Sequence, residues 1–449
     1  MDVHLLMNDE VLSVCIESID NRGRGVGRLN GKTIFVDGAI TSERALCVPI
    51  KKRKSYDEVL CKKLETASPY RQEPRCPYYG VCGGCSMQHM SSALQVSSKQ
   101  RALEQTMLRI GNVRPRRISS PVYGLDWFYR NRASLSVRFV AKKGRVVVGF
   151  REKNGRYVTD MGSMGSCCVL AKPISDLLPL LPDLVHSLDA YKNVPVIEVA
   201  VGHDLLALLF RFMVPLSDHD HQILLDFSKE HGVQFWIQEK KSPDSAYLLD
   251  PNDSRDLFYR ISDFNLDIRF LPYEFTQVNH VMNAVLVRLA MMYLDVCDTD
   301  RILDLFCGIG NFTLPIARLG AEVAGVEISE CLVKKAIKNS ELNGLSDLAR
   351  FFAMDLYKTP LNEVFNLVGE CDKILLDPPR SGAFSICQQL NYYKQPKRIV
   401  YVSCHPASLA RDAGVLVHQN NYVLSEMMLL NMFPHTSHVE VLSIFDLDS

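Results

Sequence analysis

The chain has 449 residues, 47% hydrophobic and 23% charged, and its 51 Lys and Arg are balanced by 51 Asp and Glu. That composition fits a globular protein of about three domains and excludes a uniformly basic nucleic-acid coat, a long acidic tail and a largely disordered chain. No apolar run approaches the ~18 residues of a membrane span, and MDVHLLMNDEVLSV lacks the basic start and apolar core of a secretory signal, so the 14 cysteines are expected to be mostly reduced thiols of a cytoplasmic protein.

Residues 1–66 carry strand-like runs, VLSVCIESI, KTIFVDG and ALCVPIKK, with the glycine-rich turn NRGRGVGR between the first two. They predict a small antiparallel barrel. Residues 67–265 are mixed. YRNRASLSVRFV and GRVVVGFRE read as a hairpin turning at Lys142–Gly144, and PVIEVAVG with LLALLFRF as a second strand pair. Residues 266–449 alternate apolar runs (ILDLF, EVAGVEI, KILLDPP, RIVYVS, EVLSIFDL) with helical patterns, which predicts a parallel α/β sheet.

The zero net charge conceals two basic segments. Nine Lys/Arg face two acids between Arg22 and Lys54, and fifteen face three between Lys99 and Arg156. The second run is interleaved with Trp127, Phe128 and Tyr129. Local fields decide whether a polyanion binds, and the pattern points to a nucleic acid.

CPYYGVCGGC sets Cys76, Cys82 and Cys85 at C-x5-C-x2-C spacing among glycines that let sulfurs converge. Three thiolates need a fourth ligand, and the pair Cys167–Cys168 offers it. Zinc and an iron–sulfur cluster both accept four cysteines.

In ILDLFCGIGNFTLPIA an apolar strand reaches Asp304, turns through Gly308 and Gly310, and enters a helix. The next strand ends in Glu327, an acid placed to bind two ribose hydroxyls. No phosphate loop accompanies them. A ribose without a phosphate fits, and S-adenosylmethionine is the common ligand of that kind.

KILLDPPRSG sets Asp377 at a strand end, followed by Pro378, Pro379 and Arg380. The fourth residue is not the aromatic that stacks on a planar amine in N-methylating enzymes. RIVYVSCHPASLARD leaves Cys404 at a strand end before a helix N-terminus, a position that lowers a thiol pKa. NMFPHTSHVEVLSIF brings His435, His438 and Glu440 ahead of the final strand. An acid–base role for Glu440 near Cys404 outweighs a metal site there.

Together, FTQVN (275–279), DLFCGIGNF (304–312), LLDPPRSG (375–382), VSCHPASLARD (402–412) and MFPHTSHVE (432–440) resemble the RNA uracil-C5 methyltransferase family over nearly the whole chain. The cysteine cluster and the basic barrel resemble its 23S ribosomal RNA branch. The fold class implied is α/β: a class I, Rossmann-like methyltransferase domain over 266–449, an N-terminal TRAM (OB-like) barrel over 1–66, and an α+β central domain over 67–265 carrying a [4Fe–4S] cluster. A helix near 92–112 is expected to pack on the methyltransferase domain. The resemblance implies S-adenosylmethionine contacts from Gln277, Phe306, Asn311, Glu327, Asp355 and Asp377. It makes Cys404 the nucleophile, Glu440 the base, and Cys76, Cys82, Cys85 and Cys167 the cluster ligands. It further implies a cytoplasmic monomer acting on 23S ribosomal RNA, with no membrane and no obligate protein partner; other 23S or tRNA uridines are the alternative substrates.

Overall fold

The computed structural model describes residues 11–153, 155, 157–239, 245–392 and 395–448, so the first ten residues of the expected barrel segment lie outside the described part. The chain divides into two compact units, Met1–Gln105 with Phe433–Ser437, and Thr106–Met432 with His438–Ser449.

In the first unit, β1 (Leu12–Ile19), β2 (Gly25–Leu29), β3 (Lys32–Asp37), β4 (Arg44–Lys52) and β5 (Tyr56–Thr66) close into a barrel in the order β1-β2-β3-β5-β4. Alternate residues point inward, so Val14, Ile16, Ile34, Val36, Ala45, Cys47 and Val59 form one apolar core. The sequence predicts a wholly antiparallel barrel, but β3 pairs with β5 in parallel. Of the segment read as a glycine turn, the first half is a turn and the second half, Gly25–Arg28, belongs to strand β2. A Cβ at Gly25 would stand 2.8 Å from both Ala39 O and Ile16 Cγ2, so glycine is needed where the strands crowd. Buried Glu43 then ties the barrel to the chain that follows it, accepting Ile40 N–H (2.8 Å), Ser68 N–H (3.2 Å) and Arg71 Nε–H (2.5 Å).

The second unit opens with the short strand β6 (Arg117–Ile118). Next, β7 (Arg132–Val140), β8 (Arg145–Gly149), β9 (Val196–Val201), β10 (Leu206–Arg211), β11 (Gln234–Gln238) and β12 (Ala246–Leu248) form a six-stranded sheet in the order β12-β11-β10-β9-β7-β8. The β7–β8 hairpin turns through Ala141–Lys143, with Gly144 at φ 62°. A two-stranded ribbon follows, β13 (Phe258–Ile261) and β14 (Leu266–Arg269).

The remaining strands are β15 (Arg301–Leu305), β16 (Glu322–Glu327), β17 (Ala349–Ala353), β18 (Lys373–Leu376), β19 (Arg398–Ser403), β20 (Tyr422–Leu430) and β21 (Glu440–Leu447). With β6 they form an eight-stranded sheet in the order β17-β16-β15-β18-β19-β21-β20-β6. The first five are parallel, and β18 and β19 are almost wholly buried, as strands covered on both faces must be. The expected parallel sheet is therefore present, extended by β21, which runs antiparallel to β19. Strand order reverses between β15 and β18, and in such sheets ligands bind at the carboxyl ends beside that reversal.

A helix spans Ser92–Thr106 and continues as a differently bonded turn over Met107–Gly111. That turn packs on the helix Pro406–Gln419, and His418 Nε2 lies 3.1 Å from Gly111 O.

Candidate active site

The carboxyl edge of the large sheet gathers residues from six strands. Asp304 lies near the end of β15 with Phe306 just beyond it, Glu327 ends β16, Asp355 follows β17, Asp377 follows β18, and Cys404 follows β19. Because β21 is antiparallel, its first residue, Glu440, lies at the same edge.

Asp304 is fully buried and accepts a 2.5 Å hydrogen bond from Thr313 Oγ1, while its Oδ1 has no hydrogen-bond partner. Burial pushes its carboxyl up to about 7, against the Thr313 bond and with help from Asp377 and Glu327. Asp377 is likewise pushed up to about 7 by burial. Glu327 accepts the backbone N–H groups of Gly308 (3.3 Å) and Ser329 (3.0 Å), which fixes the acid beside the glycine turn. The Phe306 ring meets Tyr357 at 5.8 Å between centroids. Asp355 accepts Tyr357 N–H (3.1 Å) and pairs with Lys358 Nζ (3.1 Å), and the Lys358 bond holds its carboxyl below the usual range.

Asn311 is engaged on both ends of its amide. Its Oδ1 accepts Tyr259 O–H (2.9 Å) and Asn283 Nδ2–H (2.8 Å), and its Nδ2 donates to Asn283 Oδ1 (3.1 Å). Gln277 lies in the loop before the helix His280–Leu294, which is capped by Asn279 Oδ1 accepting Met282 N–H at 3.1 Å. Tyr259, Asn283 and Tyr357 were not legible as site residues, since each meets its partner across a long sequence separation and none sits in a motif.

Cys404 is half-buried and Glu440 is 2% exposed. Burial first, then Glu440 and Asp377, push the Cys404 thiol up to about 11, and Arg380 opposes them. The sequence predicts a lowered thiol pKa from the helix N-terminus. Burial and two acids outweigh that dipole in the site as it stands. Burial, then Asp377, raises the Glu440 carboxyl well above the ordinary range. His405 caps the helix Pro406–Gln419, its side chain accepting Ser408 N–H at 3.4 Å.

The ensemble is a row of acids poor in paired cations, with a thiol at one end. It suits a positively charged ligand bearing a ribose, and the orphaned Asp304 oxygen and the Glu327 carboxylate fit S-adenosylmethionine.

In the first unit, Cys76, Cys82 and Cys85 are half-buried in one loop, and Gly84 N–H donates to Cys82 Sγ at 3.4 Å. Backbone donors of this kind favour the thiolate that a metal requires. Cys167 belongs to the second unit and is buried, with its N–H donating to Ser175 Oγ at 2.9 Å. Cys168 is half-buried.

Comparison with known proteins adds three findings. The family described as tRNA (Uracil-5-)-methyltransferase matches residues 249–445. The 23S rRNA (uracil(1939)-C(5))-methyltransferase RlmD of Bordetella avium is 45% identical over 443 residues, 98% of this chain and 92% of that protein, and its counterpart in Chromobacterium violaceum is 45% identical over 96% of this chain and 84% of that one. The crystal structure of Pyrococcus abyssi tRNA (uracil-54, C5)-methyltransferase with S-adenosyl-L-homocysteine superposes with a TM-score of 0.71, covering 97% of this chain and all of that one; at 22% identity the likeness carries the fold.

Proposed function

The chain belongs to the RNA uracil-C5 methyltransferase family, and from that premise we propose that it methylates C5 of uridine 1939 in 23S ribosomal RNA, the substrate named for relatives 45% identical over almost its whole length. The observation that carries the chemistry is the register of β19 and β21, which brings a thiol and a carboxyl to one edge.

Uracil C5 is too weak a nucleophile to attack a methyl sulfonium. Cys404 overcomes this by adding its thiolate to C6, which turns the C5–C4–O4 unit into an enolate. S-adenosylmethionine, when bound, supplies the methyl group that C5 then takes. Glu440 removes the remaining C5 hydrogen, so that the Cys404 sulfur leaves and the ring regains its double bond. The target base must be flipped from its stack to reach this edge. Gln277, Phe306, Asn311, Glu327, Asp355 and Asp377 would hold the cofactor.

In the same reading the barrel is a TRAM domain that grips RNA phosphates with its basic segment. Cys76, Cys82, Cys85 and Cys167 would hold a [4Fe–4S] cluster with a structural or RNA-contacting role. The enzyme would work as a monomer in the cytoplasm.

The test is methyl transfer from labelled cofactor to 23S RNA and to tRNA, with the product mapped by mass spectrometry. Label at uridine 1939 supports the reading. Label at another 23S uridine, or in tRNA, reassigns the substrate, and no label in any RNA overturns the reading.

A further inference from the structure

The groups around Cys404 make ionisation hard. Glu440 faces it from β21 and Asp377 from the loop after β18, and both oppose a thiolate, as does burial. Yet the thiolate is the form that adds to carbon. The charge of Arg380, on the same loop as Asp377, opposes the two acids. Its guanidinium lies 3.4 Å from Nδ1 of His438, two residues ahead of Glu440, so it stands beside the edge where Cys404 and Glu440 meet. The neighbouring His405 also feels the charge of Arg380, and of Arg411.

The loop bearing Arg380 is fixed from two sides. Asp412, fully buried on the helix that starts just after Cys404, accepts Ala383 N–H (2.7 Å) and Tyr401 O–H (2.8 Å) with one oxygen. Its other oxygen accepts Arg411 Nε–H (2.8 Å), and the same guanidinium donates to Ser381 O (2.7 Å). From the cofactor side, Tyr357 O–H reaches Ser381 Oγ (2.6 Å) and Gly382 O (3.0 Å). Gly382 sits at φ +79°, where a Cβ would come within 2.5 Å of Asp412 Oδ2, so the clamp closes on a residue that must be glycine.

We propose that Arg380 is the charge partner of the Cys404 nucleophile, and that Asp412 is the positioning residue that holds the Arg380 loop against it. The inference rests on the reading of Cys404 as nucleophile. It also gives a part to the arginine that stands where N-methylating enzymes carry an aromatic.

The test follows alkylation of Cys404 by iodoacetamide across pH, read by peptide mass spectrometry, in the full chain and in Arg380→Gln, Arg380→Lys and Asp412→Asn. In Arg380→Gln the midpoint should move up by about one pH unit, with a roughly tenfold slower reaction below it. Arg380→Lys keeps the charge and should recover most of the shift. Asp412→Asn should shift the midpoint the same way, and the double variant no further than Arg380→Gln. A purely structural role would slow the reaction at every pH without moving the midpoint. An unmoved midpoint in Arg380→Gln that still binds S-adenosylhomocysteine overturns the charge-partner role. A shift in Asp412→Asn that simply adds to that of Arg380→Gln overturns the positioning role. If Asp412→Asn does not fold, the two Arg380 variants decide the charge partner, and Tyr401→Phe, which removes one bond to Asp412, replaces it in the double-variant comparison. Methyl transfer surviving in Cys404→Ala would instead sink the reading of the nucleophile itself.

Discussion

Cys404 and Glu440 flank the same residue pair of two adjacent antiparallel strands. Ser403, the last residue of β19, is opposite Val441 of β21; Cys404 directly follows the first and Glu440 directly precedes the second. The register thus places at one edge the two groups that the proposed chemistry needs, and variants can separate the roles proposed for them. Cys404→Ala should abolish methyl transfer while RNA binding survives. Glu440→Gln should still add to C6 and accept the methyl group, then stall because the C5 hydrogen has no acceptor. A cofactor-dependent protein–RNA adduct should accumulate on a denaturing gel and vanish in the double variant. Normal turnover by Glu440→Gln would assign the proton to another group.

Asp304 and Asp377, both near 7 through burial, hold protons at slightly acidic pH. A bound sulfonium favours their ionised forms, so cofactor binding there releases protons. Affinity for S-adenosylmethionine should therefore rise as pH increases from about 6 to about 8, by up to about tenfold per unit for each proton released. S-adenosylhomocysteine, which lacks the sulfonium charge, should respond less. Titration calorimetry of both ligands checks this, and parallel curves would remove the acids from the sulfonium site.

Tyr259 donates to Asn311 from outside the glycine turn. Tyr259→Phe deletes that hydroxyl alone. A deficit of about 1 kcal/mol in holding Asn311 should weaken S-adenosylhomocysteine binding about fivefold, with little change in melting temperature. Unaltered affinity would show that Asn311 orientation does not matter to the ligand.

Protein purified without oxygen should be brown and carry about four irons per chain. Cys76→Ala, Cys82→Ala, Cys85→Ala and Cys167→Ala should each lose the iron, and Cys168→Ala should keep it. Stoichiometric zinc without iron would replace the cluster assignment, and iron lost from Cys168→Ala alone would move the fourth ligand by one residue.

Lys51 and Lys52 end β4 and Arg53 and Lys54 follow it, all four exposed. Reversing these charges should weaken RNA binding and flatten its logarithmic salt dependence by roughly 0.7–0.9 for each phosphate that is no longer neutralised. Cofactor affinity should not change. Equal weakening of both would mean that the segment serves folding.

The candidate site residues could be placed at strand ends from the amino-acid order because their signals are local. A strand ending in Asp304 before a glycine turn, Glu327 at the next strand end, the Asp377 loop and Cys404 before a helix each need only one strand and the turn after it. The buried runs of β15, β18 and β19 were legible for the same reason, since parallel strands covered on both faces are apolar throughout. Local pattern failed where the partner was distant. The glycines of β2 read as a turn until the barrel closed around them, and the parallel β3–β5 pair follows from a strand order that no short window contains. The direction of the Cys404 shift was also beyond the sequence, because a helix N-terminus is visible locally, whereas burial and the opposing Glu440 and Asp377 arise only when separate strands meet. That the charge of Arg380 is felt at Cys404, that Asp412 bonds to the loop after Arg380 and that Asn283 and Tyr259 hold Asn311 emerged only from the folded chain. Residue order dictates which side chains end a strand, while long-range packing sets which of them share an edge and what charge each then carries.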